Sequence, residues 1–178
     1  MIELEQTKSG LVTMKYKGKY IHSKYDPIRE SEQFVKGNME LIKKPIIVLY
    51  GLGLGYHIES IVSKMNPNSL LYVFEWNKDL IKYCKENNNK IFYYKQVKII
   101  DSKDGFYADL SKYLEKAGDI IIHKPSIETI KISNEVLYNL INDYAFTKQS
   151  LESSKDIIKI QNENYENNKE IKYRTIKD

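Results

Sequence analysis

A chain of 178 residues and 21.0 kDa has room for one full core and a small appendage. With 42% hydrophobic and 29% charged residues and no apolar run near the roughly 20 residues of a membrane helix, the composition excludes a membrane-spanning chain. The net charge of +4 is spread over lysines with acidic neighbours and implies no nucleic-acid partner, the single cysteine Cys84 excludes an intramolecular disulfide, and the opening MIELEQTKSG lacks the layout of a secretory signal, so the cytoplasm is the expected compartment.

In chain order, LVTMKYKGKYIHS (11–23) alternates apolar and polar residues around Lys17-Gly18-Lys19 and predicts a β-hairpin. Asp26 as N-cap, Pro27 at the first helical position and Glu30 in the first turn predict a helix over 27–37, ended by Gly37-Asn38. From Pro45 the pattern changes to wholly apolar strands separated by amphipathic helices, the mark of a parallel sheet buried on both faces. Strands are expected at 46–50, 70–74, 97–100 and 119–123. The intervening helices carry apolar faces of Ile58, Ile61, Val62 and Met65, then Leu80, Ile81 and Cys84, then Leu110, Tyr113, Leu114 and Ala117 before Gly118. Right-handed crossovers make this a Rossmann-like, doubly wound α/β sheet with its strands ordered 3-2-1-4. A last helix is expected with Ser133 as cap and Val136, Leu137, Leu140, Ile141 and Tyr144 as its buried stripe. The organisation read is an amino-terminal hairpin and helix (1–44), the Rossmann-like domain (45–148) and a polar helical tail or linker (149–178).

The stretch IIVLYGLGLGYHIESI (46–61) puts Gly51, Gly53 and Gly55 at the carboxyl end of the first parallel strand, where such sheets bind ligands. The dinucleotide fingerprint G-x-G-x-x-G would need glycine where Tyr56 stands, which argues against NAD. The G-x-G-x-G spacing resembles the first motif of Rossmann-type S-adenosylmethionine methyltransferases. That resemblance implies a ribose contact for Glu75, which ends the second strand 20 positions past Gly55; the acid expected two places before the first glycine is Leu49 instead. Asp101 and Asp104 follow the third strand where an adenine-contacting acid often lies, and His123 ends the fourth. Trp76, the only tryptophan, is expected at the pocket mouth, where it either stacks on a base or lids the core.

The segment YIHSKYDPIRESEQF, taken with GLGLGYH and VFEWNKDLIKYC, resembles the amino-terminal region of the bacterial motility accessory factor (Maf) family. The resemblance spans residues 10 to 145, and the pairing of H-S-K-Y-D-P-x-R-E with G-L-G-L-G-Y-H is its most specific element. Maf proteins are implicated in adding nonulosonic acids to flagellin, through a separate central transferase domain that this chain is expected to lack. The resemblance therefore implies a glycosyltransferase domain or flagellin as partner, and an oligomer is compatible with it.

The ligand-binding set read from the sequence is Gly51, Gly53, Gly55, Tyr56, His57, Glu75, Trp76 and Asp101, with His22, Ser23 and Lys24 as candidate anion contacts. The ligand classes are S-adenosylmethionine, a nucleotide or a nucleotide-sugar. No H-E-x-x-H, C-x-x-C, Walker A or G-x-S-x-G motif occurs, and Cys84 sits on an apolar stripe as a buried inert thiol. His22, His57 and His123 are scattered, and without a supporting carboxylate spacing they assign no metal. No general base stands out, so no catalytic residue is assigned. The leading expectation is an accessory nucleotide- or nucleotide-sugar-binding domain; the alternatives are a small methyltransferase and a structural or oligomerising module.

Overall fold

The computed structural model describes residues 2–87, 89–150, 153 and 163. One compact unit runs to Tyr138 and a second begins at Asn139. In the first, strands β1 (Ile2–Gln6), β2 (Val12–Tyr16) and β3 (Lys19–Tyr20) form an antiparallel sheet in that order. The expected hairpin is β2–β3, turning through Lys17 (φ 49°) and Gly18 (φ 78°). Strand β1, which sequence reading left unassigned, pairs along the other edge of β2, with Leu4 opposite Met14.

Helix α1 (Pro27–Gly37) begins as its signals require. The Asp26 carboxylate accepts from the Ile28 and Arg29 N–H groups at 3.0 Å each, Pro27 occupies the first turn, and Asn38 closes the other end. Glu30 is spent on His22 and on the Ser23 N–H. A single turn, α2 (Met39–Ile42), leads into the parallel sheet of β4 (Ile46–Tyr50), β5 (Leu70–Glu75), β6 (Val97–Asp101) and β7 (Ile121–Ile122). Its order is β6-β5-β4-β7, the expected 3-2-1-4 arrangement of a Rossmann-like fold. Helices α3 (Tyr56–Val62), α4 (Lys78–Glu86) and α5 (Phe106–Ala117) connect the strands, with a 3₁₀ turn at Lys90–Tyr93 before β6. Strand β4 is central and buried along both faces from Ile47 to Tyr50, which is why its sequence is apolar throughout rather than alternating.

Strand β7 is shorter than the 119–123 expected. It pairs with β4 alone, at Leu49↔Ile121 and Tyr50↔Ile122, and the chain then turns at Pro125 into α6 (Lys124–Glu128). The core gathers Ile47, Leu49, Ile58, Ile61, Leu71, Val73 and Ile121 with Val35 of α1, so α1 covers α3 as an integral layer.

Residues 135–150 are helical. Asn134, not Ser133, caps this helix, its side-chain oxygen accepting from the Leu137 N–H at 3.1 Å. Of the expected stripe, Leu137 and Ile141 are buried, whereas Val136 is 71% and Leu140 43% exposed. Leu137 and Ile141 share one line at i, i+4, and Val136 and Leu140 lie one residue to its side. The polar tail expected over 149–178 lies outside the described residues except at 149, 150, 153 and 163, which are helical. No helix among the described residues is long and apolar enough to cross a membrane.

Candidate functional site

Three strands end within reach of one another: β4 at Tyr50, β5 at Glu75 and β6 at Asp101. The glycine loop follows β4 with positive φ at Gly51 (111°), Gly53 (51°) and Gly55 (89°), conformations that side chains with a Cβ adopt at a cost. What crowds these glycines is the protein itself. A Cβ at Gly51 would stand 2.6 Å from Ser126 Cβ, one at Gly53 would run into the His22 ring, and one at Gly55 would lie 2.9 Å from Ile91 Cγ2. The close approach that the sequence assigns to a ligand is made here by His22, Ser126, His123 and Ile91.

The loop's backbone groups are likewise engaged from within. The Leu52 N–H donates to Glu75 Oε2 at 2.9 Å and the Leu54 N–H to His22 Nε2 at 2.8 Å. The carbonyls of Gly51, Gly53 and Leu54 face His57 Nε2, Cys84 Sγ and Asn89 Nδ2. Glu75 is fully buried, its other oxygen accepting from the Asn77 N–H at 2.8 Å. Burial pushes its carboxyl up to about 7, against the pull of the N–H groups of Leu52, Asn77 and Trp76. Burial also raises the Cys84 thiol to about 12, the inert state expected of it.

Two separate cavities lie around this loop. One, of about 320 Å³, is lined by Tyr16, Trp76, Asn77, Ser102, Ile130 and Ser133, among others. It opens past the carboxyl ends of β5 and β6, roofed by Tyr16 of the amino-terminal sheet. Trp76 is held edge-on to Phe106, ring centres 5.1 Å apart, and lies 5.8 Å from the ring of Tyr107. Among the described residues, Ser102 Oγ is buried with no hydrogen-bond partner; Asn77 Nδ2 approaches the Tyr16 hydroxyl without closing a hydrogen bond, and the Tyr50 hydroxyl stands likewise beside the Trp76 backbone N–H. Buried polar atoms rarely stay unpaired, and these cluster where the strands end.

The other cavity, of about 350 Å³, lies on the opposite side of the loop at the β4–β7 switch point. It is lined by Glu30, Ser31 and Asn38 near α1, with His22, His57 and His123. The three histidines, far apart in sequence, are each at most 4% exposed, and the rings of His57 and His123 stack 4.1 Å apart. Burial, and then the neighbouring His22, hold His57 down at about 3; burial, then His57 and His22, hold His123 well below its ordinary value. Burial raises the Glu30 carboxyl, but the hydrogen bonds from His22 and the Ser23 N–H outweigh it, and the net displacement is downward.

Of the residues read from sequence, Trp76 lines the first cavity and His22 and His57 the second. Gly51, Gly53, Gly55 and Glu75 line neither cavity; the glycines pack against His22, His123, Ser126 and Ile91, and Glu75 holds the Leu52 and Asn77 N–H groups. Tyr56 donates its hydroxyl to the Val12 carbonyl at 2.8 Å, tying α3 to β2. Asp101 pairs with Lys103 at 3.2 Å and lines a neighbouring lysine-rich cleft. Ser23 Oγ accepts from the N–H groups of Tyr25 and Asp26, and Lys24 is exposed with its ammonium over the Tyr25 ring. Sequence reading missed Asn77, Ser102 and Ser126. Asn77 carried a signal as the N-cap of α4, accepting from the Asp79 N–H at 3.1 Å; the others carried none.

The parallel sheet, its glycine loop and the antiparallel sheet laid over its carboxyl edge define a Rossmann-like α/β domain with a built-in amino-terminal cover. Residues 5–84 match the family model of the glycosyltransferase Maf N-terminal domain, so this part of the chain is related to Maf-type glycosyltransferases, as the paired motifs imply. The match takes in the H-S-K-Y-D-P segment, the glycine loop and Glu75-Trp76, and ends at Cys84. No curated protein matches the chain.

Proposed function

We propose that the chain is an accessory domain of the Maf type that binds a nucleotide, or the nucleotide part of a nucleotide-sugar, in the cleft beside Trp76. It works with a glycosyltransferase domain. The observation that carries this reading is the pair of buried polar atoms at the carboxyl ends of β5 and β6, Asn77 Nδ2 and Ser102 Oγ, neither of which closes a hydrogen bond with any of the described residues. A donor and a hydroxyl beside an indole suit a nucleoside, whose base stacks and whose ring heteroatoms and hydroxyls take hydrogen bonds. A volume of about 320 Å³ accommodates one nucleoside more readily than a dinucleotide, being at the low end of the roughly 300–1,000 Å³ of ligand sites.

S-adenosylmethionine is the alternative ligand. It has less support, since both oxygens of Glu75, the residue meant to hold its ribose, are taken by backbone N–H groups. The occluded glycine loop favours a second reading, a structural module whose loop is architecture, and that reading predicts no ligand response.

Calorimetric titration of the full chain with CMP, a CMP-sugar, S-adenosylmethionine, S-adenosylhomocysteine and NAD tests the proposal. At least one cytidine ligand is expected to bind, and to bind about 10-fold more weakly to Ser102→Val, the loss of roughly one hydrogen bond. Binding of the adenosyl ligands alone would transfer the site to methyl-donor chemistry, and no heat with any ligand would leave the structural module.

A further inference from the structure

We propose that His22, His57 and His123 form a binding site for a divalent transition-metal ion, zinc foremost, on the α1 side of the glycine loop. One nitrogen from each ring lies within 4.8 Å of those of the other two. These are the only three histidines of the chain, brought from the end of the amino-terminal sheet, the first turn of α3 and the end of β7.

The hydrogen bonding around His57 is that of a metal ligand. A ligating histidine commonly gives one ring nitrogen to a carbonyl, a carboxylate or another oxygen partner, which fixes the ring and leaves the second nitrogen's lone pair for the ion. His57 Nε2 is 2.9 Å from the Gly51 carbonyl oxygen, which can only accept, so Nε2 carries the proton and Nδ1 carries the lone pair. That Nδ1 is buried and has no hydrogen-bond partner among the described residues. His123 Nδ1 meets Ser126 Oγ at 2.7 Å; with Nδ1 as the donor of that bond, Nε2 carries the lone pair. His22 Nδ1 faces Glu30 Oε2 at 3.4 Å, a carboxylate–histidine pair, and its Nε2 now accepts from the Leu54 N–H.

An orphaned buried acceptor calls for a donor or a cation. Three neutral imidazoles select zinc and its borderline neighbours over magnesium or calcium, which prefer oxygen. Zinc–nitrogen bonds of about 2.0–2.1 Å set ligand nitrogens roughly 3.4 Å apart in a tetrahedron. Closure therefore needs the rings to draw together by an ångström or so, the stacked His57 and His123 to tilt, and His22 Nε2 to exchange the Leu54 N–H for the ion. The fourth position would then face the cavity of about 350 Å³, toward Ser31 and Asn38.

The site lies across the loop from the Trp76 cleft, and its test is independent of the nucleotide reading. The full untagged chain, freed of metal with a chelator, is titrated with Co²⁺ and followed by its visible d–d bands, then with Zn²⁺ against a chromophoric chelator. One equivalent of Co²⁺ with the strong bands of four-coordination, displaced by one equivalent of Zn²⁺, is expected. His57→Ala and His123→Ala should weaken Zn²⁺ by more than about 100-fold, and Ser126→Ala, which removes only an orienting partner, by about 10-fold. Circular dichroism of each variant establishes that it is folded; if one is not, the wild-type stoichiometry and band intensity decide alone. Weak six-coordinate bands, no saturation at one equivalent, or undiminished binding in folded His57→Ala would overturn the assignment.

Discussion

Glu75 and Gly53 show how single residues hold the loop. Glu75 joins the glycine loop to the start of α4 by accepting from Leu52 and Asn77 N–H groups, and it does so from full burial, with its carboxyl raised to about 7. A folded value above the unfolded one means that the folded state holds its proton more tightly. The stability this contributes is fully present below about 4.5 and lost as pH rises through about 7. Urea unfolding of the wild type and Glu75→Gln at pH 4.5 and 7.5 should therefore show the wild type losing roughly 2–3 kcal/mol relative to the variant across that interval. Parallel pH profiles would refute the buried, proton-holding carboxyl. At Gly53, φ of 51° combines with the His22 ring standing where a Cβ would go. Gly53→Ala should cost at least about 2 kcal/mol in the same assay, more than left-handed backbone alone exacts. The need for glycine was legible in G-x-G-x-G; what occupies the space was not, because His22 and Ser126 reach the loop only through tertiary packing.

Among the elements, α1 was the most readable, since its start depends on Asp26, Pro27 and Glu30, all local in sequence. Its further role was hidden: it covers α3 and brings Glu30 to His22. Asp26→Ala removes the acceptor of two N–H groups and should destabilise the fold by about 1 kcal/mol, readable as a lower urea midpoint with unchanged slope. The strands of the parallel sheet were equally legible, because burial on both faces writes an apolar run. Strand β1 was missed because IELEQ has too little apolar content to stand out before its pairing with β2 is known. The helix over 135–150 was read in the right place with too wide a stripe, as Val136 and Leu140 show by their exposure. Periodicity marks which residues can share a face, and the packing partner decides how wide that face is.

In the Rossmann-like unit, the ligand end of the sheet carries a cleft beside Trp76 and a histidine-lined cavity beside α1. The sequence located this end, through the glycines, Glu75 and Trp76, because strand order and crossover handedness fix where the carboxyl ends lie. It did not reveal the two cavities, because Tyr16 of the amino-terminal sheet lines one and Glu30 and Ser31 of α1 line the other. The measurement that bears most directly on the nucleotide reading is an equilibrium titration of Trp76 fluorescence, since this is the only tryptophan and it lines the cleft in question. A saturable change with CMP or a CMP-sugar is expected, weakened in Ser102→Val and left in place in His57→Ala. An unchanged signal with every nucleotide, matched by absent heat in calorimetry, would contradict it.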